Sequence, residues 1–226
     1  MNKNLELLSF RSFALGIADS YIVRKSPLAR ALDIFLVLLA CPNFLLIIFI
    51  IAILIMVESR GGVFYSQIRI GRDGRKFKAY KFRTMVQNAD QLLQSYLDKS
   101  PELKAEWLAN HKLKRDPRIT RTGAFLRKFS LDELPQLWNI FIGDMSLIGP
   151  RPIVDAEIEK YGECFELYKQ VRPGLTGLWQ VSGRSDTSYE HRVELDKTYL
   201  LNWSWMLDFQ ILFKTVSVVL RKNGAY

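Results

Sequence analysis

The stretch IFLVLLACPNFLLIIFIIAILIMV, residues 34–57, decides the fold, because no charged side chain interrupts it and a proline, Pro42, sits inside it. As a helix rising about 1.5 Å per residue it would reach roughly 36 Å, more than the ~30 Å hydrocarbon core of a bilayer. No comparable run follows it. The sequence therefore predicts a single hydrophobic anchor joined to a basic, motif-rich domain. The run starts too late and is too long for a signal peptide, and no small-residue cleavage site precedes the charges that begin at Glu58.

Its flanks are basic on both sides. Arg11, Arg24, Lys25 and Arg30 come before it, and Arg60, Arg69, Arg72, Arg75 and Lys76 come after. A spanning helix keeps its basic residues on the cytoplasmic side and should show an imbalance. Pro42 removes a helical hydrogen bond and favours a kink. Two readings stand on these features: a bent helix that enters and leaves on one side, and a tilted spanning helix with a tolerated proline.

The chain has 226 residues and a formal charge of +9, room for one membrane segment and one domain with its own core. A basic surface beside a membrane points to anionic partners such as lipid head groups, phosphorylated substrates or nucleic acid. Cys41 and Cys164 form no CxxC pair, which argues against a zinc site or a disulfide framework and for a reducing, cytoplasmic setting.

Three parts are expected: an N-terminal interfacial segment over 1–27, a membrane helix over 28–58 bent at Pro42, and a soluble domain over 59–226. Val63 to Ile70 and Lys76 to Phe82 alternate as strands around Asp73-Gly74, a favoured hairpin turn. Val86 to His111 is helical with a break at Pro101, and a further helix begins within 130–141. Residues 143–152 and 172–184 are rich in Gly and Pro and read as ordered loops. Helices are expected over 153–170 and 188–200. Asn202 to Leu220, with Trp203, Trp205, Phe209 and Phe213, suits a helix in the head-group region or a buried terminal helix.

Ser130-Leu131-Asp132-Glu133-Leu134-Pro135-Gln136 is the most suggestive chemical segment. Ser130 and Glu133 have capping-box spacing, which accounts for Glu133 and needs nothing from Asp132. A functional reading uses both residues. Adjacent carboxylates suit Mg²⁺, which takes one or two carboxylates and completes its shell with phosphate and water. A carboxylate can also attack phosphorus covalently. Lys78, Lys81 and Arg83 lie on and beyond the second strand, Arg118, Arg121, Arg127 and Lys128 lead into the acidic pair, and Arg151 and Arg184 sit in stiff loops. Arginine's planar fork suits bidentate phosphate contacts, although a merely basic surface explains most of these residues singly. His111 and His191 have no ligand-like spacing, and no Walker or dinucleotide fingerprint is present.

Tyr80-Lys81-Phe82-Arg83-Thr84-Met85, the Ser130–Gln136 segment, Gly149-Pro150-Arg151-Pro152, and Arg172-Pro173-Gly174-Leu175-Thr176-Gly177 running to Gln180 and Gly183-Arg184 together resemble the bacterial sugar transferase family. These are polyprenyl-phosphate hexose-1-phosphate transferases, or monotopic phosphoglycosyl transferases. The order and spacing match over residues 28–226, as in the family's minimal catalytic form. The resemblance implies an α/β fold, mostly α with a small β-hairpin. It also implies a monotopic membrane protein with one re-entrant helix-break-helix and a cytoplasmic catalytic domain on the bacterial inner membrane. Cys41 stands where the family pattern often has Ser before the bend proline.

The implied reaction moves hexose 1-phosphate from a UDP-sugar to undecaprenyl phosphate and releases UMP, the first membrane step of a surface polysaccharide. By this resemblance Asp132 is the nucleophile, Glu133 handles metal or proton, and Mg²⁺ is held by both. Lys81, Arg83, Arg151 and Arg184 are the candidates for holding phosphates. Gln180 and Asp196 are candidates for the nucleotide or sugar. The stretch Trp107–Arg118 and the end Gly224-Ala225-Tyr226 look most like the galactose-handling branch, with glucose as the alternative sugar. Expected partners are the UDP-sugar, the lipid phosphate, membrane lipids and, as an assembly, a homodimer; nucleic acid is not expected. The competing classes are a membrane-tethered nucleic-acid-binding protein and a non-catalytic scaffold, which intact Asp132 and Glu133 argue against.

Overall fold

The computed structural model describes residues 27–110, 113, 116–183 and 188–221. The N-terminal segment expected before Pro27 and the C-terminal end at Tyr226 lie outside the described residues.

The apolar run forms α1 (Pro27–Glu58), a helix of 32 residues. Its helical assignment runs through Pro42 without the expected break into two helices. Pro42 removes one backbone donor, but the apolar residues around it leave the other peptide groups no partner except one another. Most of α1 is bare, with Phe35, Leu38, Leu39, Leu45, Leu46, Phe49 and Ile50 exposed. Its buried positions fall near the two ends: Ala29, Asp33 and Val37 on one side of Pro42, Ile51 and Ile55 on the other.

Both ends dock on one soluble domain. At the first, Arg30 donates to the carbonyls of Ile140 (2.6 Å) and Phe141 (2.8 Å). There too the buried Asp33 accepts from Ser146 Oγ (2.8 Å) and Leu147 N (3.1 Å). Val37 joins Phe77, Ala79, Ile140 and Met145 in a shared core. At the second end Ile51 and Ile55 pack with Phe82 and Leu126. Glu58 accepts from the amides of Arg121 (2.7 Å) and Thr122 (2.9 Å). These are orphan donors at the start of α4 (Arg121–Lys128), where an anion is favoured by unpaired N–H groups and helix dipole alike.

The hairpin of β1 (Phe64–Ile70) and β2 (Lys76–Phe82) is antiparallel, with Phe64 opposite Phe82 and Ile70 opposite Lys76. Its turn holds Asp73 and Gly74 at positive φ, as the Asp-Gly pair predicts. The expected helix from Val86 divides at Pro101 into α2 (Ala89–Lys99) and α3 (Pro101–Asn110). After α4, a 3₁₀ turn at Leu131–Glu133 leads into α5 (Gln136–Ile142).

The two Gly/Pro stretches, expected as ordered loops, contain short strands. β3 (Ser146–Ile148) and β4 (Gly174–Thr176) pair in parallel, Ser146 opposite Gly174 and Ile148 opposite Thr176. The crossover between them carries two short helices, α6 (Ile158–Tyr161) and α7 (Cys164–Tyr168), in place of the single helix expected over 153–170. Close approach of the backbones is what the glycines serve: a Cβ on Gly174 or Gly177 would overlap the main chain of Gly149. α8 (Leu178–Val181), α9 (Tyr189–Leu201) and α10 (Trp205–Arg221) complete the chain. Ile211 on α10 is buried with Ile148 and Tyr199, while Met206, Phe209, Phe213 and Val216 leave an apolar face exposed.

Candidate active site

Asp132 and Glu133 occupy the 3₁₀ turn between α4 and α5, opposite β2. The capping box expected there does not form: Ser130 has φ +55° and its side chain accepts no cap hydrogen bond. Glu133 instead accepts from Lys81 Nζ at 2.6 Å, and the same ammonium lies 3.9 Å from Asp132 Oδ2. A capping box needs an extended N-cap residue, and the left-handed turn at Ser130 turns the acidic pair toward the strand instead.

The residue that sets this register is one that sequence reasoning missed. Asn139, fully buried on α5, accepts from Tyr80 N (3.1 Å) and donates to Lys78 O (2.8 Å). It thereby grips β2 on both sides of Ala79 and fixes where Lys81 meets the turn. A lone Asn inside an apolar helix is the only trace of this in the sequence, since such a residue must find partners when buried.

The two carboxylates are driven apart electrostatically. Burial, and then the charge of Glu133 next door, push Asp132 up to about 6. Burial alone would also raise Glu133, but Lys81 and Arg151 outweigh it and hold Glu133 below its ordinary value. One acid is thus a held anion, and its neighbour a carboxylate poised near neutrality. Pairs separated in this way are a mark of functional sites.

Behind the pair stands a cluster of arginines from distant segments. Arg69 on β1 donates to Pro152 O (3.0 Å) and lies 3.8 Å from Glu157. Arg192 on α9 lies 3.5 Å from the other oxygen of Glu157. Arg151 and Arg192 flank Trp179 on α8, with guanidinium carbons 5.5 and 4.6 Å from its ring centre. Arg69, Trp179 and Arg192 were not among the expected site residues. No local motif marks them, because β1, α8 and α9 meet only in the fold.

The remaining expected residues divide. Gln180 follows Trp179 on α8, and its amide oxygen turns back toward Gly177. Asp196 has no exposed surface and accepts from Tyr161 Oη at 2.7 Å. Burial pushes it up to about 6 even with that bond and nearby Arg192 and Arg151. It lies behind the arginines, with no surface open to solvent. Arg83 points elsewhere, donating to Arg60 O (3.0 Å) and to Ser59 O and Oγ (2.8 Å each), where it caps the end of α1. Arg184 lies outside the described residues. Among the described residues no group of three or more His, Cys, Asp or Glu side chains could hold a metal ion unaided.

Known proteins place this arrangement. The family model described as bacterial sugar transferase matches residues 24–222. The chain belongs to the bacterial sugar transferase family. Among bacterial sugar transferase relatives, it is 50% identical over 209 residues to a UDP-galactose-lipid carrier transferase of Erwinia amylovora, covering 92% of this chain and 42% of that protein. It is 53% identical over 166 residues to the undecaprenyl-phosphate galactose phosphotransferase of Salmonella typhimurium, covering 74% and 35%. It is 49% identical over 189 residues to the exopolysaccharide production protein ExoY of Rhizobium meliloti, covering 84% and 82%. The chain thus spans about two fifths or less of the length of the first two relatives and most of the third.

Proposed function

We propose that this protein transfers a hexose 1-phosphate from a UDP-sugar to undecaprenyl phosphate, releasing UMP, as an early membrane step in surface polysaccharide synthesis. The observation that carries the proposal is the half-buried Asp132-Glu133 pair, with Lys81 against Glu133 and an arginine cluster behind it. Galactose is the preferred sugar, because relatives from Erwinia, Salmonella and Streptococcus are named for galactose transfer. A Klebsiella relative named for glucose 1-phosphate transfer, 37% identical, keeps glucose as the alternative.

In the proposed mechanism Asp132 attacks the β-phosphorus of the donor. The bond from that phosphorus to the bridging oxygen breaks, and the oxygen leaves with its electron pair on UMP. An oxygen of the lipid phosphate then attacks the phosphorus of the aspartyl phosphosugar, and the Asp132 carboxylate is released. Lys81 and Arg151 stabilise charge that develops on the transferred phosphoryl group, as fixed cations do in a partly dry site. Lys81 also keeps Glu133 ionised.

The donor set fits Mg²⁺ in its usual mode, with Asp132 and Glu133 offering adjacent carboxylates and a substrate phosphate filling the shell. Bound there, Mg²⁺ would neutralise charge on the diphosphate and the departing UMP.

For the membrane, the favoured reading is a monotopic protein on the cytoplasmic face of the bacterial inner membrane, with α1 as a wedge in one leaflet. Support comes from the polar docking of both ends of α1 on one domain, Arg30 and Asp33 at one end and Glu58 at the other. Its exposed middle, which contains Pro42, is left to the lipid.

A nucleic-acid role has little to draw on. Basic side chains of the hairpin are engaged internally: Lys76 with Asp155, Lys81 with Glu133, Arg69 with Pro152 and Glu157. The deciding experiment is UMP release from UDP-galactose, UDP-glucose and their N-acetylated counterparts, each with and without Mg²⁺ and undecaprenyl phosphate. Lipid-dependent release from one hexose donor is the expected result. No release from any donor would remove the proposal.

A further inference from the structure

Arg192 stands out among the charged side chains because its bonding is incomplete. It is 9% exposed, yet its Nε and Nη2 are buried without a hydrogen-bond partner among the described residues. Among the described residues its ion pair, to Glu157 Oε1, is 3.5 Å long and runs through the remaining nitrogen, Nη1. A buried guanidinium normally satisfies its donors, since each one left unpaired carries a desolvation cost. Here two are left over on a side chain whose plane is held between Trp179 (4.6 Å) and Tyr189 (5.0 Å).

Several charged side chains meet around Arg192. Arg69, Arg151 and Arg192 share the neighbourhood of Trp179 and Glu157. The carboxylates facing them are Glu157, the buried Asp196 and Glu133, which Lys81 also engages. Burial, and then the neighbouring Arg151 and Arg192, hold Arg69 below its ordinary value, with Glu157 and Glu133 acting the other way. Glu157 is shared, since its Oε2 also accepts from Val154 N at 2.9 Å. The three acids are each engaged elsewhere, Glu157 with Val154 N, Asp196 with Tyr161 and Glu133 with Lys81, so the two unpaired donors of Arg192 remain for an incoming anion to complete.

We infer that Arg192, with Arg69 and Arg151, forms a second phosphate-binding pocket beside the Asp132-Glu133 pair, in which Arg192 offers Nε and Nη2 to one phosphate group. Because the inference rests on the transfer reading above, the phosphate has two sources: the uridine-bearing phosphate of the donor, or the phosphate of the polyprenyl acceptor. A double displacement would let one pocket serve both in turn, since UMP leaves before the lipid phosphate enters.

The test measures binding, not turnover, with the purified full chain in nanodiscs and three probes: UMP, inorganic phosphate and a short-chain polyprenyl phosphate. Arg192→Gln should weaken the probe that uses the pocket roughly tenfold, the effect of losing charge-assisted hydrogen bonds. Arg192→Lys should restore only part of the affinity, because an ammonium lacks the fork. Glu157→Gln should act in the opposite direction and tighten binding, because it removes the competing carboxylate while its amide oxygen still accepts from Val154 N. A role for Arg192 in packing alone would lower the melting temperature of both variants and leave both affinities unchanged, overturning the inference. Weakening of the UMP arm assigns the donor side, of the polyprenyl arm the acceptor side, and of both a pocket used in sequence. If the parent protein binds inorganic phosphate through Arg192 but neither UMP nor the lipid, the pocket stands and the transferase reading falls.

Discussion

Lys81 Nζ meets Glu133 Oε1 at 2.6 Å, joining the hairpin to the turn that carries Asp132. This one bond sets both the geometry and the charge state of the acidic pair. Lys81 is a principal cation holding Glu133 ionised, and ionised Glu133 helps push its neighbour up. A strand residue and a turn residue far apart in sequence thus set the properties of the proposed nucleophile together.

Lys81→Met should therefore lower UMP release by about 100-fold or more, the scale of removing one fixed charge from a phosphoryl-transfer site. It leaves two adjacent half-buried carboxylates with less compensation, so Glu133 should take up a proton in the variant. Single-turnover UMP release, with and without lipid acceptor, is the measurement. Near-parental rates would mean that Lys81 serves the fold alone.

Asp132, raised to about 6, predicts a pH dependence with a definite sign. The nucleophile must be ionised, so the first half-reaction should fall as pH drops through about 6. Stability runs the other way. A carboxyl whose folded pKa is raised favours folding while protonated, and that contribution is lost as pH rises from its ordinary 3.8 through about 6. Asp132→Asn should accordingly abolish UMP release while making the protein more stable at pH 8, by up to about 3 kcal/mol. Denaturant melts of parent and variant at pH 8 and pH 5 should show that gap narrowing on acidification.

Asn139→Leu tests the register of the hairpin. The substitution keeps the bulk but leaves Tyr80 N without its acceptor and Lys78 O without its donor. A loss of roughly 2–3 kcal/mol follows from two buried main-chain groups left unpaired. Activity should fall further than stability explains, because β2 is then free to shift Lys81 against the turn. A denaturant curve beside UMP release at a temperature where the variant is fully folded separates the two effects.

What was legible in the sequence follows from how local the signals were. The Asp-Gly turn, the Pro101 break and the apolar run are each written within a few residues, and each appears where expected. The motifs that hold Lys81 and the Asp132-Glu133 pair were legible as well, and the structure brings the three side chains together. The arginine cluster was not, because Arg69, Arg151 and Arg192 come together only when β1, the loop after β3 and α9 pack around Trp179. The position of Arg83 was not legible either. Beside Lys81 in sequence it looks like a second phosphate ligand, but it lies just past β2, where its guanidinium reaches Ser59 and Arg60. The β3–β4 pair hid inside Gly- and Pro-rich text because its glycines serve backbone packing and not turns.

The docking of α1 makes a prediction about topology. In a background with Cys41 and Cys164 replaced by Ser, Leu28→Cys and Gly62→Cys should react with an impermeant maleimide from the same face of the membrane. Arg30 and Asp33 hold the first end of the helix to Ile140, Phe141, Ser146 and Leu147, and Glu58 holds the second to Arg121 and Thr122. Pro42→Leu restores a backbone donor in the exposed middle and removes the residue that favours a kink. A straight apolar helix of this length is long enough to span, so part of the variant's Leu28→Cys label should move to the opposite face. That move must break the Arg30 and Asp33 bonds, so activity should fall with the fraction relabelled. Labelling of Leu28→Cys from the opposite face in the parent itself would be incompatible with a wedge, because a residue across the bilayer cannot share a helix turn with side chains bonded to α5 and β3.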